Sequence, residues 1–456
     1  MRRAALAVTV MLAVFAEAGG AASETMSGAL IRAYNNSPQI NGERAGVRAV
    51  DEDVARAAAG LRPKVSAEAF AGLTARRFSS QGFGPASEGL RPRSVGVTVE
   101  QPLFDGNRAR NSIRGAESNV MAARERLRLM EQTVLLSAVT AYMNVLRDAA
   151  AYNLQENNVK VLAEQLRQSR ERFQEGQITQ TDIAQAEARL ASGRSQLSLA
   201  QANLEASKAS YRQVIGVEAS RLGPAKPVDH LLPGSVSAAQ QIAQKEHPAI
   251  ASALHGVDVA QIEVRILEGE LYPSLSLVGS VGAQADVDAR GERQTQASIL
   301  AKLSVPIYSG GAPSARVRQA KELAGQKTLN LALVRDEVTA NMRGAWSARS
   351  AIRQQIAAAQ QQIDAAQRAL LGVREEASVG QRTTLDILNA QQELLNARIA
   401  LIVAQRDLVV ASYAVLAAAG RLSARQLSLR VNEYDPVIHF DQVKGRWGGV
   451  RTPDGR

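Results

Sequence analysis

The sequence predicts a mainly α-helical protein with a small β part, built as a tandem internal repeat. Long stretches of each half place apolar residues three and four positions apart, the spacing of packed helices. The chain also aligns with itself, and four runs of about ten residues switch to a period of two, the mark of strands with one apolar face. Composition agrees: 45% of the 456 residues are apolar but only 4% are aromatic, so alanine, leucine, glutamine and arginine carry the helix faces.

The opening residues read as an export signal over 1–22, with Arg2 and Arg3, an apolar run over 4–16, and small residues offering cleavage after Ala18 or Ala22. That run is too short to span a bilayer. The absence of cysteine excludes a disulfide framework, thiol chemistry and a lipidated N-terminal cysteine. An exported chain of this kind must hold together by packing or oligomerisation. The nearest later candidate for a transmembrane helix, 399–420, carries Arg406 and Asp407 in its middle, each costing about 2.5–3.5 kcal/mol at a bilayer centre. The net charge of +10 raises nucleic acid as a partner, but the basic residues are interleaved with acids and form no stripe, so none is expected.

Repeat 1 covers 23–216 and repeat 2 covers 238–420, joined by a Gly- and Pro-rich linker, 217–237, and followed by a polar tail, 421–456, that either wraps or dangles. At an offset of 210, Pro38, Ile40, Pro63, Ser66 and Gly72 match Pro248, Ile250, Pro273, Ser276 and Gly282. At an offset of 204, Pro102-Leu103-Phe104-Asp105-Gly106 matches Pro306-Ile307-Tyr308-Ser309-Gly310. Each half opens with a helix, 25–60 or 238–270, that stops before a proline.

Strands follow at 64–74 and 94–103, and at 274–284 and 296–306, where Val95, Val97 and Val99 or Ala297, Ile299 and Ala301 alternate with smaller or polar residues. About ten residues cross a bilayer when tilted by roughly 45°; a half-buried soluble sheet is the alternative. The segments between paired strands, 75–93 and 286–294, read as polar loops. Phe104, Tyr272 and Tyr308 sit at the strand ends nearest the helices, where interfacial aromatics belong. Four strands cannot close a barrel, and an open edge would leave backbone groups unpaired in lipid. Strands that span a membrane therefore require an oligomer, and a trimer supplies twelve.

Asp105 and Ser309 read as helix N-caps ahead of the longest heptad runs. Ile113, Ala116, Val120, Ala123, Leu127, Met130 and Val134 form one seam, and Ala122, Leu129, Leu136 and Met143 form a second. Two seams demand two helical neighbours, as in the wall of a closed ring. A helix over 105–173 would be on the order of 100 Å long. The return helices carry Ile183, Leu190, Leu197, Leu204 and Tyr211, copied as Ile387, Leu394, Leu401, Leu408 and Val415. Hairpin tips are expected near 173–182 and 377–386, at Gly176-Gln177-Ile178-Thr179-Gln180-Thr181-Asp182 and Gly380-Gln381-Arg382-Thr383-Thr384-Leu385-Asp386.

This duplicated order of junctions and tips resembles the TolC family of outer-membrane efflux and type I secretion ducts over about 25–430. The resemblance implies a homotrimer, its twelve-stranded outer-membrane β-barrel continuous with a long periplasmic α-helical coiled-coil barrel that closes at the far end. Such a duct passively exports drugs, dyes, bile salts or proteins. Its implied partners are a periplasmic adaptor, an inner-membrane pump of RND or ABC type, and outer-membrane lipid. Carried over by position, Thr181 and Asp182 fall on one side of the closing lock, Arg382 on its arginine, and Asp386 on an acidic ring at the pore constriction. Gly176, Thr179, Gly380 and Thr383 fall at adaptor-contact tips, and Pro102, Phe104, Gly106, Pro306, Tyr308 and Gly310 at the barrel-helix junction. Two positions depart from the family: Ala377 stands for a lock tyrosine and Asn389 for a second ring aspartate.

A charge-assisted Asp182–Arg382 pair would stabilise closure by about 1.5–3 kcal/mol. The alternative is that Asp182 caps a helix, Arg382 is solvated and Asp386 is an ordinary first-turn acid. No enzyme is expected: His230, His247, His255 and His439 show no metal-ligand spacing, His247 and His255 read as helix-surface residues, and phosphate loops and nucleophile elbows are absent, so no metal or cofactor is implied. A soluble periplasmic coiled-coil adaptor is the competing reading.

Overall fold

The computed structural model describes residues 23–80 and 83–455; the expected export signal lies outside them. Repeat 1 runs α1 (Met26–Asn36), α2 (Pro38–Ala58), β1 (Lys64–Ala71), β2 (Thr74–Ser80), β3 (Phe83–Leu90), β4 (Arg93–Phe104), α3 (Arg108–Gln174) and α4 (Gln180–Ile215). Repeat 2 runs α5 (Val236–Glu246), α6 (Pro248–Glu268), β5 (Ser274–Ala285), β6 (Arg293–Ser304), α7 (Ala312–Ser378) and α8 (Thr384–Ala418), before α9 (Pro436–Val443). The two offsets hold residue for residue: α1 and α2 map onto α5 and α6 by 210, and α3 onto α7 by 204.

The single opening helix expected in each half is two helices. Pro38 and Pro248 occupy the first position of new helices, because a proline lacks the N–H that an interior position would need. Ser37 and His247 cap them, accepting from the N–H of Ile40 and Ala249. His247 is therefore not a surface residue: it is 9% exposed, and a Cβ on Gly420 would lie 2.6 Å from its Cα. Burial, helped by Arg128, holds its imidazole below the ordinary range. A lowered histidine pKa favours the neutral folded form, so this contribution is complete above the unfolded value of 6.5 and is lost as pH falls through the folded one. His247→Asn keeps a capping side chain without the charge, so the variant should lose less melting temperature than wild type between about pH 7.5 and about pH 5.

Two compact units divide the chain. One unit comprises 33–137, 227–358 and 407–456 and holds the strands. Its helical core joins Ala239, Ala243, Ile250, Val257, Leu331, Val338, Met342, Val415 and Ala419. Its four-stranded sheet has the order β1-β4-β5-β6, antiparallel throughout. The segment expected as a polar loop forms a further hairpin, β2 with β3. The tail is docked: Leu422 and Val443 are fully buried, His439 Nδ1 meets the buried Asp51 carboxylate at 2.9 Å, and the N–H of Ala424 donates to Glu131 at 2.7 Å. Asp229 in the linker binds Arg349 at 2.6 Å and Arg353 at 2.9 Å.

The other unit comprises, among the described residues, 23–32, 138–226 and 359–406. Its fully buried Tyr142 hydroxyl sits 2.8 Å from the Glu24 carbonyl and 2.7 Å from that of Gly223, beside the bridge that pairs Glu24 with Leu222. Contrary to expectation, α8 contains a stretch of mean hydropathy 1.7 that is long and apolar enough to cross a membrane by length and composition. Within the hairpin cores, however, its Ile387, Leu394 and Ala397 are buried against helix neighbours, and Arg406 donates to Asn144 at 2.6 Å.

Candidate functional site: hairpin tips and strand-helix junctions

Both tips use one pair of devices. At the first, the N–H of Gly176 donates to Phe173 O and that of Gln177 to Arg172 O, each at 2.9 Å, with Gly176 at φ +74°. At the second, Gly380 donates to Ala377 O at 3.2 Å and Gln381 to Glu376 O at 2.9 Å, with Gly380 at φ +80°. This is the left-handed glycine stop that satisfies the last carbonyls of a helix. The return helix then opens on a reciprocal cap. Thr179 donates from its N–H and hydroxyl to Asp182 Oδ2 at 2.9 and 2.8 Å, and Thr383 does the same to Asp386 Oδ2 at 3.0 and 2.9 Å.

These caps decide what the acids do in the protomer. Asp182 spends its carboxylate on Thr179, and Arg382 turns to Glu376, Nε to Oε2 at 2.8 Å, so the structure does not bring Asp182 and Arg382 together. The reason is proximity along the chain: each group finds a partner on its own tip before it reaches the other hairpin. Asp386 is a first-turn acid whose carboxyl is held below its usual range chiefly by the Thr383 backbone N–H. Thr181 is exposed.

The two hairpins touch elsewhere. Leu162, Leu166, Ile183, Ala186 and Leu190 form the core of the first, and Leu388 of α8, 2% exposed, enters it. Next to it, Arg189 Nη2 donates to Asn389 Oδ1 at 2.7 Å. Ile363, Ala366, Leu370, Ile387, Leu394 and Ala397 form the core of the second, with Ala377 packed against it. Arg189, Leu388 and Glu376 were missed in the sequence. The available signal was the doublet Ile387-Leu388: neighbouring helix positions face about 100° apart, so two large apolar residues address two partners, where the first tip has Ile183-Ala184.

At the first strand-helix junction, Pro102 and Phe104 flank a bulge in the β4–β5 ladder, and Asp105 Oδ2 accepts from the N–H of Ala109 at 2.7 Å. Gly106, at φ +70°, crosses Gly269 so closely that a Cβ would stand 2.3 Å from its carbonyl oxygen. The second junction, with Pro306, Tyr308 and Gly310, is exposed, and Ser309, expected as an N-cap, lies three residues before α7, where its backbone carbonyl accepts from the N–H of Ala312 at 3.4 Å in a turn while Gly311 directly precedes the helix.

Comparison with known proteins agrees with this geometry. The chain matches the family model for outer membrane efflux proteins over 30–217 and 239–421, one stretch for each repeat. It is 43% identical to the outer membrane efflux protein BepC of Brucella suis biovar 1 over 99% of this chain and 97% of that one. It is 28% identical to the alkaline protease secretion protein AprF of Pseudomonas aeruginosa over 66% of this chain and 64% of that one. Among solved structures it resembles the outer membrane channel CmeC of Campylobacter jejuni with a TM-score of 0.79 and 19% identity, covering 92% of this chain and 89% of that one. With both repeats matched and a relative of this identity along nearly the whole length, the chain belongs to the outer membrane efflux protein family.

Proposed function

We propose that three copies of this chain assemble a passive outer-membrane exit duct for efflux or type I secretion, gated where the hairpin tips converge. The observation that carries the reading is an inside-out sheet. The odd-numbered residues of the four strands share one face, and there Val97 is 38% exposed, Val281 54% and Ile299 79%. The opposite face is mostly polar, with Ser280 and Ser298 hydroxyls 2.9 Å apart and Gln284 donating to Gln294 at 2.7 Å; its exposed large apolar residues are Phe70 and Leu300. A water-soluble sheet would cover its apolar face; a membrane barrel turns that face to lipid and the polar one to the lumen. The strands β4, β5 and β6 are each 12 residues long, sufficient to cross at a tilt, and three copies provide twelve strands.

Energy and cargo selection would then come from an inner-membrane pump of RND or ABC type through a periplasmic adaptor, docking around Gly176, Thr179, Gly380 and Thr383. One relative is named for efflux and another for alkaline protease secretion, which fits a duct serving either use, for small toxic compounds or for proteins. Around the threefold axis, three Asp386 carboxylates would form a cation-selective ring, and a partner subunit would offer Asp182 and Arg382 the cross-hairpin contact that the protomer lacks. The test is cell fractionation with a dye-retention assay. The protein should sediment with outer membranes, and cells lacking it should retain a fluorescent cationic dye; recovery as a soluble periplasmic monomer would overturn the reading.

A further inference from the structure

The stretch that follows α9 is basic, aromatic and exposed. Residues 443–452 hold Lys444, Arg446, Trp447 and Arg451 and no acid. Every residue over 444–451 is exposed, including the apolar Trp447, at 74%, and Val450. Val443, just before them, is fully buried, so the stretch begins from a fixed point.

It is also tied to one level of the fold. The Arg62 guanidinium lies over the Trp447 ring, 4.8 Å from its centre, and donates from Nη1 to the Arg446 carbonyl. Arg446 Nη1 donates in turn to the Arg451 carbonyl at 2.7 Å. Arg62 stands two residues before β1, at the strand ends nearest the helices. Gln101 of β4, in the same odd-numbered row as Val95, Val97 and Val99, donates to the Leu61 carbonyl at 3.0 Å. That bond brings the turn at Ala59–Leu61, and with it the Arg62–Trp447 stack, to the apolar side of the sheet.

The charges there are unspent. Lys444 pairs with Asp441 and Arg425 with Glu433, but among the described residues Arg62, Arg446 and Arg451 have no carboxylate partner. A guanidinium carries five N–H donors, and the bonds above use one from Arg62 and one from Arg446.

We propose that 444–451 is a lipid anchor, in which Trp447 and Val450 enter the interface of the periplasmic leaflet while Arg62, Arg446 and Arg451 bind the phosphate of an anionic phospholipid. This rests on the duct reading above, which turns the apolar face of the sheet to lipid. An indole is favoured at the headgroup level of a bilayer, and a guanidinium can grip a phosphate with two parallel N–H groups. Apolar burial and attraction to anionic lipid then act together, as two signals on one surface loop. The anchor joins the bilayer to α9 through Val443, apart from the strands.

The chain has two tryptophans, and Trp346 packs against the helical core, so quenching by lipid reports Trp447. The full-length protein is reconstituted into vesicles of phosphatidylcholine and phosphatidylglycerol in equal parts, with one lipid or the other brominated on its acyl chains. Trp346→Phe isolates the Trp447 signal directly and Trp447→Phe isolates it by difference, so either variant suffices. Trp447 should be quenched several-fold more by brominated phosphatidylglycerol than by brominated phosphatidylcholine, and Arg446→Gln with Arg451→Gln should bring the ratio close to unity. Equal quenching by both lipids, or a preference that the double variant leaves unchanged, overturns the headgroup site. An unquenched Trp447 in protein that floats with the vesicles overturns the anchor, leaves the duct standing and points to another copy over the ring. Protein that does not float with the vesicles overturns the duct reading and the anchor with it.

Discussion

Replacing Gly106 with alanine is expected to damage the protein more than any other single-methyl change at a turn. The new Cβ would meet a backbone carbonyl at 2.3 Å, an atom that cannot swing aside as a side-chain tip can, and φ is +70°. The left-handed conformation alone costs a non-glycine residue about 1–2 kcal/mol, and forcing apart a packed crossing adds about 1–3 kcal/mol or more. Gly176→Ala is the internal control, with a similar φ of +74° but nothing within 4 Å of the added carbon. It should cost only the conformational part. Thermal melts of the two purified variants check the difference; equal losses would remove the close crossing as the cause.

The second large effect belongs to Leu388. Truncation to alanine empties a position that is 2% exposed inside the core of the neighbouring hairpin, a change that typically costs about 2–5 kcal/mol. Because Leu388 joins two hairpins rather than packing within one, the loss falls on their mutual contact. Reconstituted Leu388→Ala should therefore show higher conductance than wild type, together with faster proteolysis at the tips. Asp182→Ala and Arg382→Ala should act more weakly, since in the protomer Asp182 is held by Thr179 of its own tip and Arg382 by a solvent-screened ion pair with Glu376 of its own tip. Arg382→Ala exceeding Leu388→Ala would shift the weight of closure back to the polar lock.

What could be read from the sequence was what repeats. The offsets 210 and 204 located both hairpins, both junctions and four strands, because each rests on a period or a glycine that recurs. The breaks at Pro38 and Pro248 were hidden, since a proline that starts a helix and one that ends it differ only in the capping residue before it, here Ser37 and His247. The β2–β3 hairpin was hidden because Thr74, Arg76 and Ser80 present no apolar alternation.

At the tips, the sequence left open whether Asp182 and Asp386 cap their helices or reach across. The short Thr-x-x-Asp loop closes on itself, and that competition is settled in space. Asn389 accepts from Arg189 at 2.7 Å, a polar contact between the hairpins that needs no carboxylate on α8.

In the proposed duct, packing between the hairpin tips around Leu388 holds the channel nearly shut. Single-channel recording in planar bilayers tests it most directly, with wild type and Leu388→Ala compared at equal protein density. Wild type should give discrete openings of low conductance and the variant a several-fold larger conductance. Inserted protein that conducts nothing in either form, or conducts identically in both, would contradict it.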